Sequence, residues 1–254
     1  MQIGAQLYTL RDYTKTRHDF EVTLSLVHDI GYAGVQLSAV GCMGGDQPEV
    51  DAKTAREMLD ASGLVCGATH RPWERLRDFC DEEIAFHETL GCTYVAIGGL
   101  WPKDYAEYGT FVAEAKVVID RLARHGIRFG YHNHSHEFVR KPGGTHWYDF
   151  LIEAEPSLQL EIDVYWAAHA GVDPARLLNR CAGRIDVIHA KDMEVVQGSG
   201  PDYAPVGEGN LDWTSILAAC REGGTEWVMV EQDTTRRDPF DCLKSSYDFL
   251  ADRV

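Results

Sequence analysis

The sequence contains no pair of cysteines at the CxxC spacing, although it has seven cysteines among 254 residues. Their scattered positions and odd number argue against a zinc ribbon and against a disulfide framework, so we expect small buried thiols in a reducing compartment. No apolar run approaches the roughly 18 residues that a membrane span needs, and no charged, apolar leader opens the chain. These absences predict a soluble, cytoplasmic protein with no membrane partner.

Positive charge is scarce as well. Lys and Arg number 24 against 40 Asp and Glu, which gives a formal net charge of −16. Nucleic-acid binding needs clustered Lys and Arg, so no nucleic-acid partner is expected. The chain also lacks a GxGxxG after the first strand and a GxxxxGK[ST] anywhere, so no nucleotide cofactor is expected.

A junction recurs along the chain, in which a polar helical stretch ends in glycine and a short β-rich run follows. The junction glycines are Gly31, Gly63, Gly91, Gly126, Gly183 and Gly224. Glycine suits the residue after a helix because that residue takes positive φ. A further junction at residues 155–157 and an opening strand from Gln2 to Tyr8 bring the number of β/α units to eight. Glycine pairs, and the Gly198-Ser-Gly200 segment, are predicted to form loops at the active face.

Eight β/α units in about 250 residues favour a closed barrel over an open doubly wound sheet. We therefore predict an α/β protein with one (β/α)₈ TIM barrel domain spanning residues 1–254. In such barrels the reactive side chains stand at the carboxyl ends of the strands. The last four predicted strands end in carboxylates and imidazoles, which are His132, His134 and Glu137, then Glu161 and Asp163, then His189, and last Glu231.

That collection of side chains suits a divalent cation such as Mn²⁺, Mg²⁺, Co²⁺ or Fe²⁺. A cation there would stabilise an enediolate when a neighbouring base removes a carbon-bound proton. Structural roles are the alternatives. Asp163 could cap the turn after its strand, His189 could be a satisfied core histidine, and Glu231 could be a solvated charge. Glu137 lies far enough beyond its strand to belong to a loop, and Lys191 could equally be a salt-bridge partner.

Five segments in order resemble the sugar phosphate isomerase/epimerase proteins of the xylose-isomerase-like TIM barrel superfamily. The segments are Tyr131-His-Asn-His-Ser-His-Glu-Phe138, Glu161-Ile-Asp-Val-Tyr-Trp166, His189-Ala-Lys-Asp-Met193, Val206-Gly-Glu-Gly209 and Val230-Glu-Gln-Asp233. The resemblance runs over essentially the whole chain. It is strong for the superfamily and much weaker for the substrate.

The resemblance implies a metal, Mn²⁺ by preference with Zn²⁺ as a further alternative, held by Glu, Asp, His and Glu from the last four strands. Asp163, His189 and Glu231 match three of those positions. The fifth strand departs from the pattern, because His132 stands where the family has Glu. Either Glu137 reaches back to the metal, which is our preference, or His132 binds it and Glu137 supports the ligands or transfers protons.

The resemblance also implies substrate contacts at Gln6, His70 and Lys191, to which we add His134. The leading hypothesis is a divalent-metal-dependent isomerase or epimerase of a sugar or sugar derivative. Glu137 and Glu231 would transfer the carbon-bound proton, and His132 or His134 would move a hydroxyl proton.

A lyase or hydratase that acts on a keto-sugar or 3-keto-glycoside at the same site is the alternative reaction. An endonuclease is opposed by the negative charge, and a non-catalytic barrel is opposed by intact ligand residues on three strands. The expected partner is a small carbohydrate, and a homodimer is a further expectation.

Overall fold

The computed structural model describes all 254 residues. The chain contains ten strands. They are β1 (Gln2–Gln6), β2 (Gly34–Leu37), β3 (Val65–His70), β4 (Tyr94–Ile97), β5 (Arg128–His132), β6 (Gln159–Asp163), β7 (Val187–Ala190), β8 (Asp192–Val196), β9 (Gly200–Ala204) and β10 (Trp227–Val230). Eight of them close into a parallel barrel in the order β1-β10-β7-β6-β5-β4-β3-β2. The predicted barrel is confirmed.

Ten α-helices follow or flank these strands, and none is long and apolar enough to cross a membrane. They are α1 (Arg17–Ile30), α2 (Ala52–Ala61), α3 (Trp73–Asp78), α4 (Cys80–Leu90), α5 (Glu107–Ala123), α6 (Trp147–Ala154), α7 (Val164–His169), α8 (Pro174–Arg180), α9 (Trp213–Gly223) and α10 (Pro239–Ala251). Their apolar faces pack on the outside of the barrel, where most of the buried core lies.

The six junction glycines behave as the sequence predicts. All have positive φ, between 71° for Gly63 and 120° for Gly31. A side chain with Cβ pays an energetic penalty in this region, whereas glycine does not. The glycines therefore end the helices and return the chain to the barrel at a fixed place.

Large apolar side chains fill the lower half of the barrel interior. Tyr94, Trp227 and Met229 are buried there against small residues of the facing strands. A Cβ added at Gly67 would lie 2.7 Å from both Met229 and Trp227, so glycine at this position provides the space that those side chains occupy. Because the lower half is packed in this way, polar side chains can gather only at the carboxyl ends of the strands.

Two elements differ from the expectation. The opening strand ends at Gln6 rather than Tyr8, because the Gln6 side chain accepts a hydrogen bond from the Tyr8 N–H (2.6 Å) and starts a 3₁₀ helix, Leu7–Tyr13. Strands β8 and β9 form an antiparallel hairpin, with Val196 paired to Gly200 at its end. Gly198 and Gly200, expected in a plain loop, form the turn of this hairpin at φ of 86° and 84°.

Candidate active site

A cavity of about 610 Å³ opens at the carboxyl ends of the barrel strands. The side chains predicted to bind substrate all line it, and these are Gln6, His70, His134 and Lys191. Two predicted catalytic residues, His132 and Glu231, line it too. The structure therefore brings six of the predicted site residues to one cavity.

Three predicted metal ligands meet beneath this cavity, and Glu231 is the one of them that lines it. Asp163, His189 and Glu231 are almost fully buried, at 0%, 0% and 3% exposure. His189 Nδ1 lies 2.7 Å from Glu231 Oε2 and 3.9 Å from Asp163 Oδ2. None of these three atoms has a hydrogen-bond partner. They contact one another and the Lys191 ammonium only as ion pairs, so three potential ligand atoms converge on one buried point.

Asp163 both caps a helix and faces this point. Its Oδ1 accepts a hydrogen bond from the Trp166 N–H (2.9 Å) at the start of α7, while Oδ2 makes no hydrogen bond and faces the Lys191 ammonium. Burial raises the pKa of Asp163 to about 6, because the carboxylate loses its hydration. The capping role therefore uses one oxygen and leaves the other available as a ligand.

Lys191 supplies the positive charge beside these ligands. Its Nζ lies 3.1 Å from Asp163 Oδ2, 2.9 Å from Glu231 Oε2 and 2.7 Å from Asp233 Oδ1. Only the contact with Asp233 has the geometry of a hydrogen bond. Burial opposes the charge of the ammonium group, but the three carboxylates outweigh burial and hold the pKa of Lys191 above its usual range. Lys191 is thus a fixed internal cation.

Glu137 does not lie with the other predicted ligands. It sits in a 3₁₀ helix, His136–Phe138, and is fully buried away from the cavity lining. Its Oε1 accepts from the Tyr131 hydroxyl (2.7 Å) and its Oε2 from the His134 N–H (2.8 Å). The chain turns back immediately after β5, and this turn brings both carboxylate oxygens of Glu137 within hydrogen-bond distance of these two groups. In this structure Glu137 braces the loop that carries His134.

His132 occupies the position on β5 that the sequence left as the other choice. It is 3% exposed, and its Nε2 lies 3.9 Å from Asp163 Oδ2. Its ring centroid is 4.3 Å from that of His189. Of the two fifth-strand candidates, His132 is therefore the one that the structure places beside the three other predicted ligands.

Glu161 and Gln36, to which the sequence assigned no ligand or substrate role of their own, lie next to these residues. Glu161 is completely buried and contacts Gln36, His70 and His189. Burial acts against its charge, yet the two imidazoles lower the pKa of Glu161 to about 2. Its spacing of two residues from Asp163 was a usable signal, because alternate residues of a strand share one face. Gln36, on β2, offered no such signal.

The Asp192 carboxylate, directly after Lys191, holds the later glycine-rich turn in place by hydrogen bonds. It accepts hydrogen bonds from five groups, which are the N–H groups of Met193, Gly207, Gly209 and Leu211 and the indole N–H of Trp213, at 2.7 to 3.2 Å. A Cβ at Gly209 would collide with this carboxylate. The motif segments His189–Met193 and Val206–Gly209 thus form one local structure, which anchors the chain just after β7.

The donor set suits a divalent cation. Two carboxylate oxygens and one imidazole nitrogen, all buried and in no hydrogen bond, lie within 4.8 Å of one another beside the Lys191 ammonium. Carboxylates with imidazole are typical ligands of Mn²⁺, Fe²⁺ and Co²⁺, and of catalytic Zn²⁺. The His, Glu and Asp residues beneath the cavity therefore form a candidate metal site.

Comparison with known proteins agrees with this geometry. Residues 24–253 match the protein family described as xylose isomerase-like TIM barrel. The chain belongs to this family. The family membership predicted from the sequence motifs is confirmed.

Among relatives of this xylose isomerase-like barrel, an inosose dehydratase from Geobacillus kaustophilus (strain HTA426) is 26% identical over 267 residues, which cover 89% of this chain and 85% of the relative. A sugar phosphate isomerase/epimerase from Parabacteroides distasonis ATCC 8503 has a TM-score of 0.81 at 21% identity, covering 98% of this chain and 93% of that one. An L-ribulose 3-epimerase has a TM-score of 0.75 at 15% identity, covering 98% and 93%. The protein is an enzyme of this superfamily.

Proposed function

We propose that this barrel is a divalent-metal-dependent lyase that removes water from a polyhydroxylated keto compound, such as a keto-sugar or an inosose. One observation carries the choice. Of the two carboxylates expected to exchange the carbon-bound proton, only Glu231 lines the cavity, because both oxygens of Glu137 are engaged elsewhere. The groups that line the cavity near Glu231 include the imidazoles of His132 and His134.

Asp163, His189 and Glu231, with His132 in place of Glu137, would hold the metal, for which Mn²⁺ is our first choice. When bound, the cation would polarise the substrate carbonyl and stabilise negative charge on its oxygen. This arrangement is supported by the convergence of Asp163 Oδ2, His189 Nδ1 and Glu231 Oε2, none of which makes a hydrogen bond, and by the position of His132 Nε2 beside Asp163.

Glu231 would act as the base that takes the proton from the carbon next to the carbonyl. The electron pair of that C–H bond forms the new C=C bond, and the C–O bond of the neighbouring carbon breaks. Burial lowers the pKa of His134 to about 3, so its ring is neutral at neutral pH. A neutral imidazole has one donor and one acceptor nitrogen, so His134 would act as a relay: its N–H proton goes to the departing hydroxyl, which leaves as water, while its other nitrogen takes up the proton that Glu231 removed from carbon.

Substrate binding would fall to the fixed polar groups around the cavity. Lys191 offers an ammonium group held in place by three carboxylates, and it can donate to a carbonyl or hydroxyl oxygen. Gln6 and His70 line the same cavity. The inosose dehydratase relative, which covers most of both chains, supports dehydration as the reaction.

Epimerisation or isomerisation is the second candidate, and one observation favours it. His134 Nδ1 is buried without a hydrogen-bond partner at the cavity wall. A group there could return a proton to the substrate carbon from a different side than Glu231. The same first step would then yield an isomeric sugar in place of an unsaturated ketone.

The two reactions are separated by mass. We would incubate the Mn²⁺-loaded enzyme in D₂O with a panel of inososes, ketoses and 3-keto-glycosides. A product that has lost one water supports the lyase, and a deuterated product of unchanged composition supports the second candidate. Absence of both exchange and product across the panel, in an enzyme shown to hold metal, would contradict the proposal.

Metal retention gives a separate prediction for Asp163. Replacing Asp163 with Asn keeps the α7 cap, because Asn caps as well as Asp, but it replaces the unpaired oxygen with a weaker ligand. We expect the Mn²⁺ affinity to fall by about tenfold or more, measured by calorimetric titration. Asp173→Asn, which changes the equivalent cap of α8, is the matched control and should leave affinity unchanged.

A further inference from the structure

We propose that Glu161 is a positioning residue that stands behind the two imidazole ligands and fixes which ring nitrogen of each faces the metal. The inference rests on the proposed metal site. It adds a residue that touches neither metal nor substrate. Its basis is the placement of one buried carboxylate between two rings.

Glu161 lies on the far side of both rings from the other ligands. For His189, Nε2 is 2.9 Å from Glu161 Oε1, while Nδ1 points to Glu231 Oε2 at 2.7 Å. For His132, Nδ1 is 3.6 Å from Glu161 Oε1, while Nε2 is 3.9 Å from Asp163 Oδ2. Each ring therefore presents one nitrogen to Glu161 and the opposite nitrogen to the ligand carboxylates.

An ionised carboxylate can only accept hydrogen bonds, so a ring nitrogen held against it must carry the hydrogen. By the same rule His189 Nδ1, which faces Glu231 Oε2 at 2.7 Å, carries a hydrogen in the metal-free protein, and it would release that hydrogen to offer its lone pair to a metal. Carboxylates that accept from metal-bound histidines fix ring orientation in this way and make the ring a stronger ligand. Glu161 would do so for both rings through its charge, because the hydrogen bond of His189 Nε2 goes to Gln36 Oε1 and the 3.6 Å to His132 is too long for a hydrogen bond.

Gln36 completes the arrangement around His189. Its Nε2 donates to both oxygens of Glu161, at 3.0 and 3.2 Å. This contact turns the amide so that Oε1 faces His189 Nε2, at 2.7 Å. Because an amide oxygen also only accepts, Gln36 reinforces the hydrogen on Nε2. Glu161 thus orients the Gln36 amide, and the amide oxygen in turn orients the His189 ring.

The fourth contact of Glu161 is His70, whose Nε2 hydrogen-bonds to Oε1. His70 lines the cavity, so Glu161 also ties a substrate-facing ring to the metal-facing one. Three imidazoles from β3, β5 and β7 therefore surround a single carboxylate from β6. A neutral or apolar side chain at this position would leave all three rings less constrained.

The test uses Mn²⁺ alone as the probe, titrated into the full-length protein and followed by the electron paramagnetic resonance signal of free Mn²⁺. We expect Glu161→Gln to weaken binding by about tenfold and Glu161→Leu by about a hundredfold. Glu83→Gln is the matched control, because Glu83 is a fully buried carboxylate paired with Arg71 and Arg75 outside the metal site. It should lower thermal stability without changing Mn²⁺ affinity.

A measurement on the unaltered protein keeps the inference testable if the variants do not fold. Nitrogen NMR of ¹⁵N-histidine-labelled, Zn²⁺-loaded protein should show His189 bound through Nδ1 with hydrogen on Nε2. Coordination through Nε2 would overturn the inference, as would variants that fold and bind Mn²⁺ with unaltered affinity. Two Mn²⁺ per chain, one of them lost in Glu161→Leu, would make Glu161 a ligand and also overturn it. Wild-type protein that binds no Mn²⁺ would overturn the metal site itself.

Discussion

Replacing Glu231 with Gln is expected to lower turnover by about a thousandfold, the effect typical of losing a general base. Glutamine has nearly the same shape, but its amide cannot take a proton from carbon. The side chain lies against His189 and Lys191, at 2.7 and 2.9 Å, so the variant should remain folded while losing one negative charge beside an ammonium group. The measurement is kcat with the substrate that the D₂O panel identifies.

The matched control lies at the other end of the same strand. Glu226 precedes β10 and pairs at the surface with Arg128, at 2.9 Å, whereas Glu231 follows β10. Glu226→Gln removes the same charge from the same strand, so kcat should stay within about twofold of the wild type. If Glu231→Gln kept more than about one-tenth of the wild-type rate, Glu231 would not be the base.

Replacing Lys191 with Met should destabilise the metal-free protein by about 3–5 kcal/mol, the usual effect of removing one partner from a buried charge cluster. Methionine keeps the apolar stem but leaves Asp163, Glu231 and Asp233 without their common cation. A bound metal would neutralise Asp163 and Glu231. The loss of unfolding free energy should therefore be smaller in Mn²⁺ than in chelator.

Urea unfolding of both proteins, in EDTA and in excess Mn²⁺, gives the four free energies that this prediction requires. Lys244→Met is the control, because Lys244 pairs with Asp248 on the exposed face of α10 at 2.6 Å and should contribute less than about 0.5 kcal/mol. Equal losses in EDTA and Mn²⁺ would mean that the metal does not share carboxylates with Lys191.

The barrel could be predicted because local signals repeat. Each junction glycine reports a helix end and a strand start, and six such signals fix most of the strand–helix alternation. The hairpin β8–β9 could not be predicted in this way. Its turn glycines, Gly198 and Gly200, resemble those of an open loop, and pairing between its strands depends on contacts that the sequence pattern does not show. The homodimer and the cytoplasmic location stay predictions.

Within the site, strand ends were predictable and loop side chains were not. Asp163 ends β6, His189 is the last residue but one of β7, and Glu231 directly follows β10, so the barrel geometry brings them together. The position of Glu137 depends on a tight 3₁₀ turn after β5, which directs its carboxylate to Tyr131. Glu161 was counted among the strand-end acids and its spacing from Asp163 was a signal, but its contacts with three imidazoles depend on neighbouring strands that only the fold brings to it.

Asp192 has a consequence for how this enzyme can vary among its relatives. The segment between Met193 and Trp213 leaves the barrel after Asp192 and runs through the hairpin. It then returns to the Asp192 carboxylate, to which both Met193 and Trp213 donate hydrogen bonds. The two ends of this segment are therefore held together by hydrogen bonds to one carboxylate. Hairpins of different length or composition could replace this one, altering the contact that Tyr203 makes with the cavity residue Asp233 while Lys191 and the strand ends stay in place.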